Sequence, residues 1–201
     1  VFQPNAFELQ QDRLAGTSID DRAGCAVSLE IARHLIKREA GPTVHLVFSV
    51  QEEYNLRGAL PIAQQLSPDI AIQIDLIMAT DTPDMFDRGN VKLGGGPAIS
   101  MFSFHGRGTL NGVIPHPSLV AIFEKTAFEL DLPLQRSAHS GALTDLSYVQ
   151  LVGKGVAAID VGFPMRYSHS SLEVCDLNDL VQLTQLLVEI LSRIDQKFHL
   201  N

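Results

Sequence analysis

Strands alternating with helices over short connections predict an α/β domain, with a mostly parallel sheet flanked by helices. Three observations carry that prediction. The run Val44-His45-Leu46-Val47-Phe48-Ser49-Val50 is apolar enough for a strand buried on both faces. It is preceded by a long amphipathic stretch from about Asp21 to Ala40, closed by Gly41-Pro42. A second apolar run, Asp69-Ile70-Ala71-Ile72-Gln73-Ile74-Asp75, follows a shorter helical stretch near 57–66.

In chain order, residues 1–16 alternate loosely and read as a short strand or two. In the first helix, Ala23, Ala26, Val27, Leu29, Ile31, Ala32, Leu35 and Ile36 make a broad apolar face. The strand expected over 43–50 ends at Gln51-Glu52-Glu53, and the strand over 69–75 ends on Asp75. From Leu76 to Asn90 a loop carries Asp81, Asp84 and Asp87, which read as solvated acids. Gly94-Gly95-Gly96-Pro97 precedes a strand over Ala98–His105 but lacks the spacing of a phosphate-binding loop. A helix over Pro117–Leu130, a short strand over Pro133–Arg136 and a helix from the Thr144-Asp145 loop to about Leu151 come next. A strand over Gly155–Val161, a loop from Phe163 to Cys175 and a helix from Asp176 to Lys197 complete the chain.

With 201 residues there is enough chain for one large domain and its core. A net charge of −8 argues against a nucleic-acid backbone as partner. No stretch reaches the roughly 18–20 apolar residues of a membrane span. Cys25 and Cys175, far apart and without a CxxC spacing, read as reduced thiols of a cytoplasmic protein.

Parallel strands bring the loops at their carboxyl ends to one edge, where open α/β sheets bind ligands. That edge collects Glu52, Glu53, Asp75 and His169, with Asp20 arriving from the start of the first helix. Asp20-Asp21 at a helix start is in part a cap, but a cap needs one carboxylate and here there are two. Crowded carboxylates repel and take up protons unless a cation screens them. Asp, Glu and neutral His suit Zn²⁺, Mn²⁺ or Co²⁺ better than Ca²⁺. Adjacent strand residues face opposite ways, so the chain must turn at Tyr54-Asn55 for both glutamates to serve one site, one as ligand and one as base. His139 is the alternative ligand; His34, His45, His105, His116 and His199 read as structural or surface residues.

Ser18-Ile19-Asp20-Asp21-Arg22-Ala23-Gly24, Gln51-Glu52-Glu53 with Leu56-Arg57-Gly58, Ile74-Asp75 and Arg166-Tyr167-Ser168-His169-Ser170 occur in the order of one family. The chain resembles, over essentially its whole length, the tetrahedral (TET-type) dinuclear-metal aminopeptidases related to bacterial glutamyl aminopeptidase. The resemblance implies a zinc-peptidase-like (phosphorylase/hydrolase-like) catalytic domain, two divalent ions (Zn or Co, with Mn as an alternative), short peptide substrates and a homo-oligomer, a dodecamer in the family. Residue by residue, it implies that Asp20 bridges the metals and is joined to Asp21 by a cis peptide. Glu52 is then the general base, Glu53 and His169 ligands of one ion, and Asp75 a ligand of the other. Thr144 and Asp145 lie near the substrate.

The chain departs from that pattern in places. An upstream His-x-Asp ligand segment has no counterpart in residues 1–16, which resemble the return segment of an inserted β domain. Residues 17–201 are then expected to be the catalytic domain without its N-terminal portion. Tyr54-Asn55 stands where the family has Val-Gly, and Ala142-Leu143 where it has glycines. An interaction protein that keeps the fold without turnover is the competing expectation. Retention of Glu52 speaks against it, because mere binding has no use for a free base beside a metal ligand.

Overall fold

The computed structural model describes residues 3–105, 112–195 and 198–200. Its framework is one mixed sheet of eight strands with helices on both faces. The strands are β1 (Ala6–Leu9), β2 (Arg13–Gly16), β3 (Ile70–Met78), β4 (Ala98–Phe104), β5 (Gly112–Val113), β6 (Gln135–Ser140), β7 (Ala157–Arg166) and β8 (Glu173–Asp176). The helices are α1 (Ile19–Leu35), α2 (Ala59–Leu66), α3 (Pro117–Glu129), α4 (Leu146–Val149) and α5 (Leu177–Arg193).

β7 organises the sheet. It runs parallel to β3 along the whole of that strand, from Ile70↔Ala157 to Met78↔Met165. Antiparallel pairings join it to β4 at Ile99↔Val161 and to β8 at Met165↔Cys175. The period of two along β7 assigns its side chains. Ile159, Val161, Phe163 and Met165 enter the main core, which α1, α3 and α5 close with Ile31, Phe123, Leu183 and Leu187. Ala158 faces the other way, into a smaller cluster with Ala63 of α2 and Leu146 and Val149 of α4. By register, Asp75 lies opposite Gly162 and shares this second face, whereas Ile72, Ile74 and Leu76 belong to the main core.

The α/β class is as expected, and the sheet is mixed in direction: β3–β7 and β4–β6 are parallel, and the remaining pairings antiparallel. Several boundaries differ from the sequence reading. β3 continues to Met78, so Asp75 sits within the strand and not at its end. Leu76-Ile77-Met78 keep the ladder going because Phe163-Pro164-Met165 continue opposite them. The loop expected from Phe163 to Cys175 therefore gives up its ends to β7 and β8. α5 ends at Arg193, with part of its expected extension to Lys197 outside the described residues. The glycine run is bound from within: Gly94 and Gly96 N–H groups donate to Asp179 at 2.8 and 2.7 Å.

The largest difference is at residues 43–50, where no strand forms. Leu46, Val47, Phe48 and Val50 are 37, 46, 49 and 69% exposed. Composition alone cannot make a strand; the backbone needs a neighbouring edge, and none of the described residues pairs with 42–49.

β3 and β7 lie close together where Gly162 faces Asp75. A Cβ on Gly162 would fall 1.6 Å from the Asp75 carbonyl oxygen, a clash with backbone that no rotamer relieves. Gly162→Ala should therefore destabilise the chain by about 3 kcal/mol, the upper range for overpacking, read as the shift of the urea midpoint.

Candidate functional site

The site is assembled from three turns. α1 begins irregularly, with Ser18 at φ 55°, non-helical dihedrals at Asp20 and Asp21, and a cis peptide between those two residues, as the family pattern implies. Asp21 Oδ1 accepts the Gly24 N–H at 3.0 Å and so caps the regular helix. Asp20 is left over for the site.

The second turn covers residues 51–57. Gln51, Asn55 and Leu56 have positive φ, and the Leu56 N–H returns to the Glu52 carbonyl at 2.9 Å. Gly58 permits this tight return, since a Cβ there would lie 2.2 Å from the Val50 carbonyl oxygen. The turn separates the two glutamates. Glu53 Oε2 lies 3.2 Å from His169 Nε2, while Glu52 is half-buried on the side where Asp75 and Asp145 act on it.

The third turn carries His169, at φ 59°, between β7 and β8. Its Nε2 is also 3.2 Å from Asp20 Oδ2, and the ring is largely exposed. Glu173, 3% exposed, anchors both sides: its two oxygens accept the N–H groups of Asp20 and His169, each at 3.0 Å.

Asp20, Glu53 and His169 thus offer three donor atoms within 4.8 Å of one another. Two ligands about 2.1 Å from a tetrahedral cation lie roughly 3.4 Å apart, close to the spacings here, and the O,O,N donor set suits Zn²⁺. Electrostatics point the same way. Burial, then Asp75 and Glu53, push the Asp20 carboxyl up to about 7. Burial, then Asp75 and Asp145, push Glu52 up to about 8. Burial also raises Asp75 and Asp21. A metal-free site therefore holds protons where a cation could sit.

The other expected residues lie near this group without joining it. Asp75 is half-buried in β3, accepting the Leu76 N–H at 2.7 Å, and stands outside the three-donor set. His139 lies in β6 with a buried, unpartnered Nε2, and it is not part of the donor set either. Thr144 donates to Asp160 Oδ1 at 2.6 Å, and Asp145, 2% exposed, accepts from Ser49 at 2.7 Å. Asp81 is not a solvated loop acid: Arg166 donates to both of its oxygens at 2.7 Å. Burial would raise Asp81, but the Arg166 bonds and charge together with the Leu93 N–H outweigh it and hold the carboxyl below its usual range. Asp84 and Asp87 are exposed, as expected.

Sequence reasoning missed Glu173, Ser49 and Asp160. Glu173 and Ser49 carry no local signal, since Asp20 and Asp145, which they bind, are distant in sequence. Asp160 had one: a lone carboxylate inside Ala157–Phe163, an otherwise apolar strand. Burial raises it to about 6.

Known proteins match this chain along most of its length. The family described as M42 glutamyl aminopeptidase matches residues 1–186. SgcX of Escherichia coli (strain K12), whose own aminopeptidase designation is provisional, is 38% identical over 182 residues, 90% of this chain and 49% of SgcX. The aminopeptidase APDkam598 of the archaeon Desulfurococcus kamchatkensis superposes with a TM-score of 0.85 at 35% identity, over 96% of this chain and 52% of its own. The TET1 peptidase of Pyrococcus horikoshii, which can assemble into a tetrahedron or a large octahedral shell, superposes at 0.81 with 28% identity, over 95% and 53%. The chain spans about half the length of the curated relatives it matches.

Two outcomes follow from the geometry. Asp20 and Glu52 hold protons more tightly folded than unfolded, so the resulting stability is complete below their ordinary values of 3.8 and 4.5 and is lost as pH rises through about 7 and 8. In chelator, the melting temperature should fall between about pH 5 and about pH 8.5, and Zn²⁺ should raise it most at the upper end. Glu173→Gln keeps the shape but turns an amide N–H₂ toward a backbone N–H. It should weaken Zn²⁺ binding about 10–100-fold by calorimetry, the usual cost of losing a ligand's support.

Proposed function

We propose, because the chain belongs to the M42 glutamyl aminopeptidase family, that it carries the catalytic side chains of a metal-dependent aminopeptidase that removes N-terminal residues from short peptides. The observation that supports this best is the division of Glu52 from Glu53: two carboxylates and a histidine converge, and the carboxylate of Glu52 stays outside the donor set. Binding alone needs the donors; hydrolysis also needs the bystander.

In this reading Asp20, Glu53 and His169 hold one divalent ion, with Zn or Co preferred and Mn as the alternative. Asp20 and Asp75, whose charges act on one another, hold part of a second. The ions supply Lewis-acid polarisation of the scissile carbonyl and make water more acidic. Glu52 accepts the proton of the attacking water and returns it to the departing amine. Cations at the neighbouring carboxylates offset the charges that raise Glu52 in the metal-free state, which leaves it ionised and able to accept that proton. Excess negative charge at the cleft attracts the substrate's free ammonium terminus. Thr144 and Asp145 act by fixing the wall behind Glu52 through Asp160 and Ser49. The natural protein forms a homo-oligomer, as TET1 of Pyrococcus horikoshii does. A cytoplasmic setting suits its two free thiols.

Glu52→Gln in the natural polypeptide should lower kcat on aminoacyl-nitroanilides by about 10²–10⁴-fold and leave metal content unchanged by mass spectrometry. Loss of metal would mean that Glu52 is a ligand. Full metal content with no hydrolysis of any aminoacyl or peptide substrate by the unmutated protein would make it an interaction protein.

A further inference from the structure

We propose that Asp81 and Arg166 are positioning residues for the metal site: their forked ion pair sets the path of the turn that carries His169. The proposal rests on the metal-binding reading above and concerns two residues outside the donor set.

The ladder between β3 and β7 ends at Met78↔Met165, with a last bond from the Ala79 N–H to the Met165 carbonyl at 2.9 Å. From there the two chains part. β3 leads into the loop of residues 79–97, while Arg166 turns to Val174 of β8 as its partner. Residues 167–172 make the turn, with left-handed backbone at Tyr167 and His169, φ 62° and 59°. The His169 side chain is 67% exposed, so packing does not hold its imidazole. Its place is set by the backbone beneath it. Glu173 fixes the leaving side of the turn through the His169 N–H. The entering side has its own tie.

Arg166 reaches back across the point where the ladder stops. Its Nε donates to Asp81 Oδ1 and its Nη2 to Asp81 Oδ2, each at 2.7 Å, and both side chains are half-buried. Two parallel bonds between planar groups fix orientation as well as distance. Asp81 is itself held, because its Oδ2 also accepts the Leu93 N–H at 3.0 Å. Leu93, 5% exposed, packs with Ala15 of β2, Ala79 and Val174 of β8. The loop after β3 is closed without the arginine, by that bond and by the Thr80 N–H to the Val91 carbonyl at 2.7 Å. What the arginine adds is a link from this loop to the end of β7. Asp81 follows the strand that carries Asp75, and Arg166 opens the turn that carries His169. Arg166 is absent from the charges that act on Asp20 and Glu52, so it serves the site through position and not through its own field.

The test uses Asp81→Asn, Arg166→Lys and the double variant, each in the natural polypeptide. Either single variant should weaken Zn²⁺ binding about tenfold by calorimetry, the low end for residues that support ligands. The double variant should bind no more weakly than either single one, as for two members of one contact. In the metal-free protein, amides of residues 167–172 should exchange faster in every variant. Residues 157–162 of β7 should keep their protection, which also shows that the variants are folded. Zn²⁺ affinity equal to that of the unmutated protein overturns the proposal, and a lowered melting temperature beside it makes the pair a stabilising contact alone. A double variant that loses the sum of the two single losses overturns it as well. An unmutated polypeptide that binds no Zn²⁺ overturns the metal reading and this proposal with it, a result distinct from binding that the variants leave intact.

Discussion

The site hangs on one buried carboxylate. Glu173 accepts two backbone N–H groups, from Asp20 at the start of α1 and from His169 in the turn before β8. Charge-assisted bonds of this kind are stronger than neutral ones, and a carboxylate with both oxygens committed to main chain cannot swing away. It therefore fixes the positions from which two of the three donor side chains project. β8 holds Glu173 in turn through its pairing with β2 and β7. The order of dependence runs from sheet to anchor to donors, and Asp20 and His169 take their backbone positions from a residue outside the donor set.

That anchoring has an electrostatic cost. Asp20, Glu52, Glu53 and Asp75 are brought close enough that the charges of Asp75 and Glu53 act on both Asp20 and Glu52. Left to themselves, such groups take up protons, and Asp20 and Glu52 do so near neutral pH. Cation binding and proton release are then one event. The same fold that opposes the fully ionised, metal-free site favours the metal-loaded one, so affinity for a cation arises from repulsion already built into the scaffold.

The motif residues were legible in the sequence because the chemistry demands unusual local composition. Two acids at a helix start, two acids after an apolar run and a histidine in a polar turn each stand out against their surroundings. The structure gathers Asp20, Glu53 and His169 as the pattern implies. Glu173 and Ser49 were not legible, because a carboxylate or a hydroxyl looks the same in sequence whether or not a distant residue needs it. Helices α1, α3 and α5 were read within a few residues, since their 3.6-residue period is a local property. The mixed direction of the sheet was not, since pairing partners are set by tertiary contacts.

Residues 43–50 separate the two kinds of information most clearly. Their composition says buried strand, and the described residues around them supply neither full burial nor a partner edge. β3 shows the opposite balance: its ladder with β7 forms in full although no other described strand pairs along its second edge. One paired edge is thus enough to make a strand, and apolar side chains without any edge are not. What the apolar run encodes is a demand for a neighbour, and Ser49 is the point at which the segment is nonetheless held, through its bond to Asp145 at the start of α4. That bond holds the chain leading into Glu52 and Glu53 against α4, where a sheet neighbour would otherwise be needed.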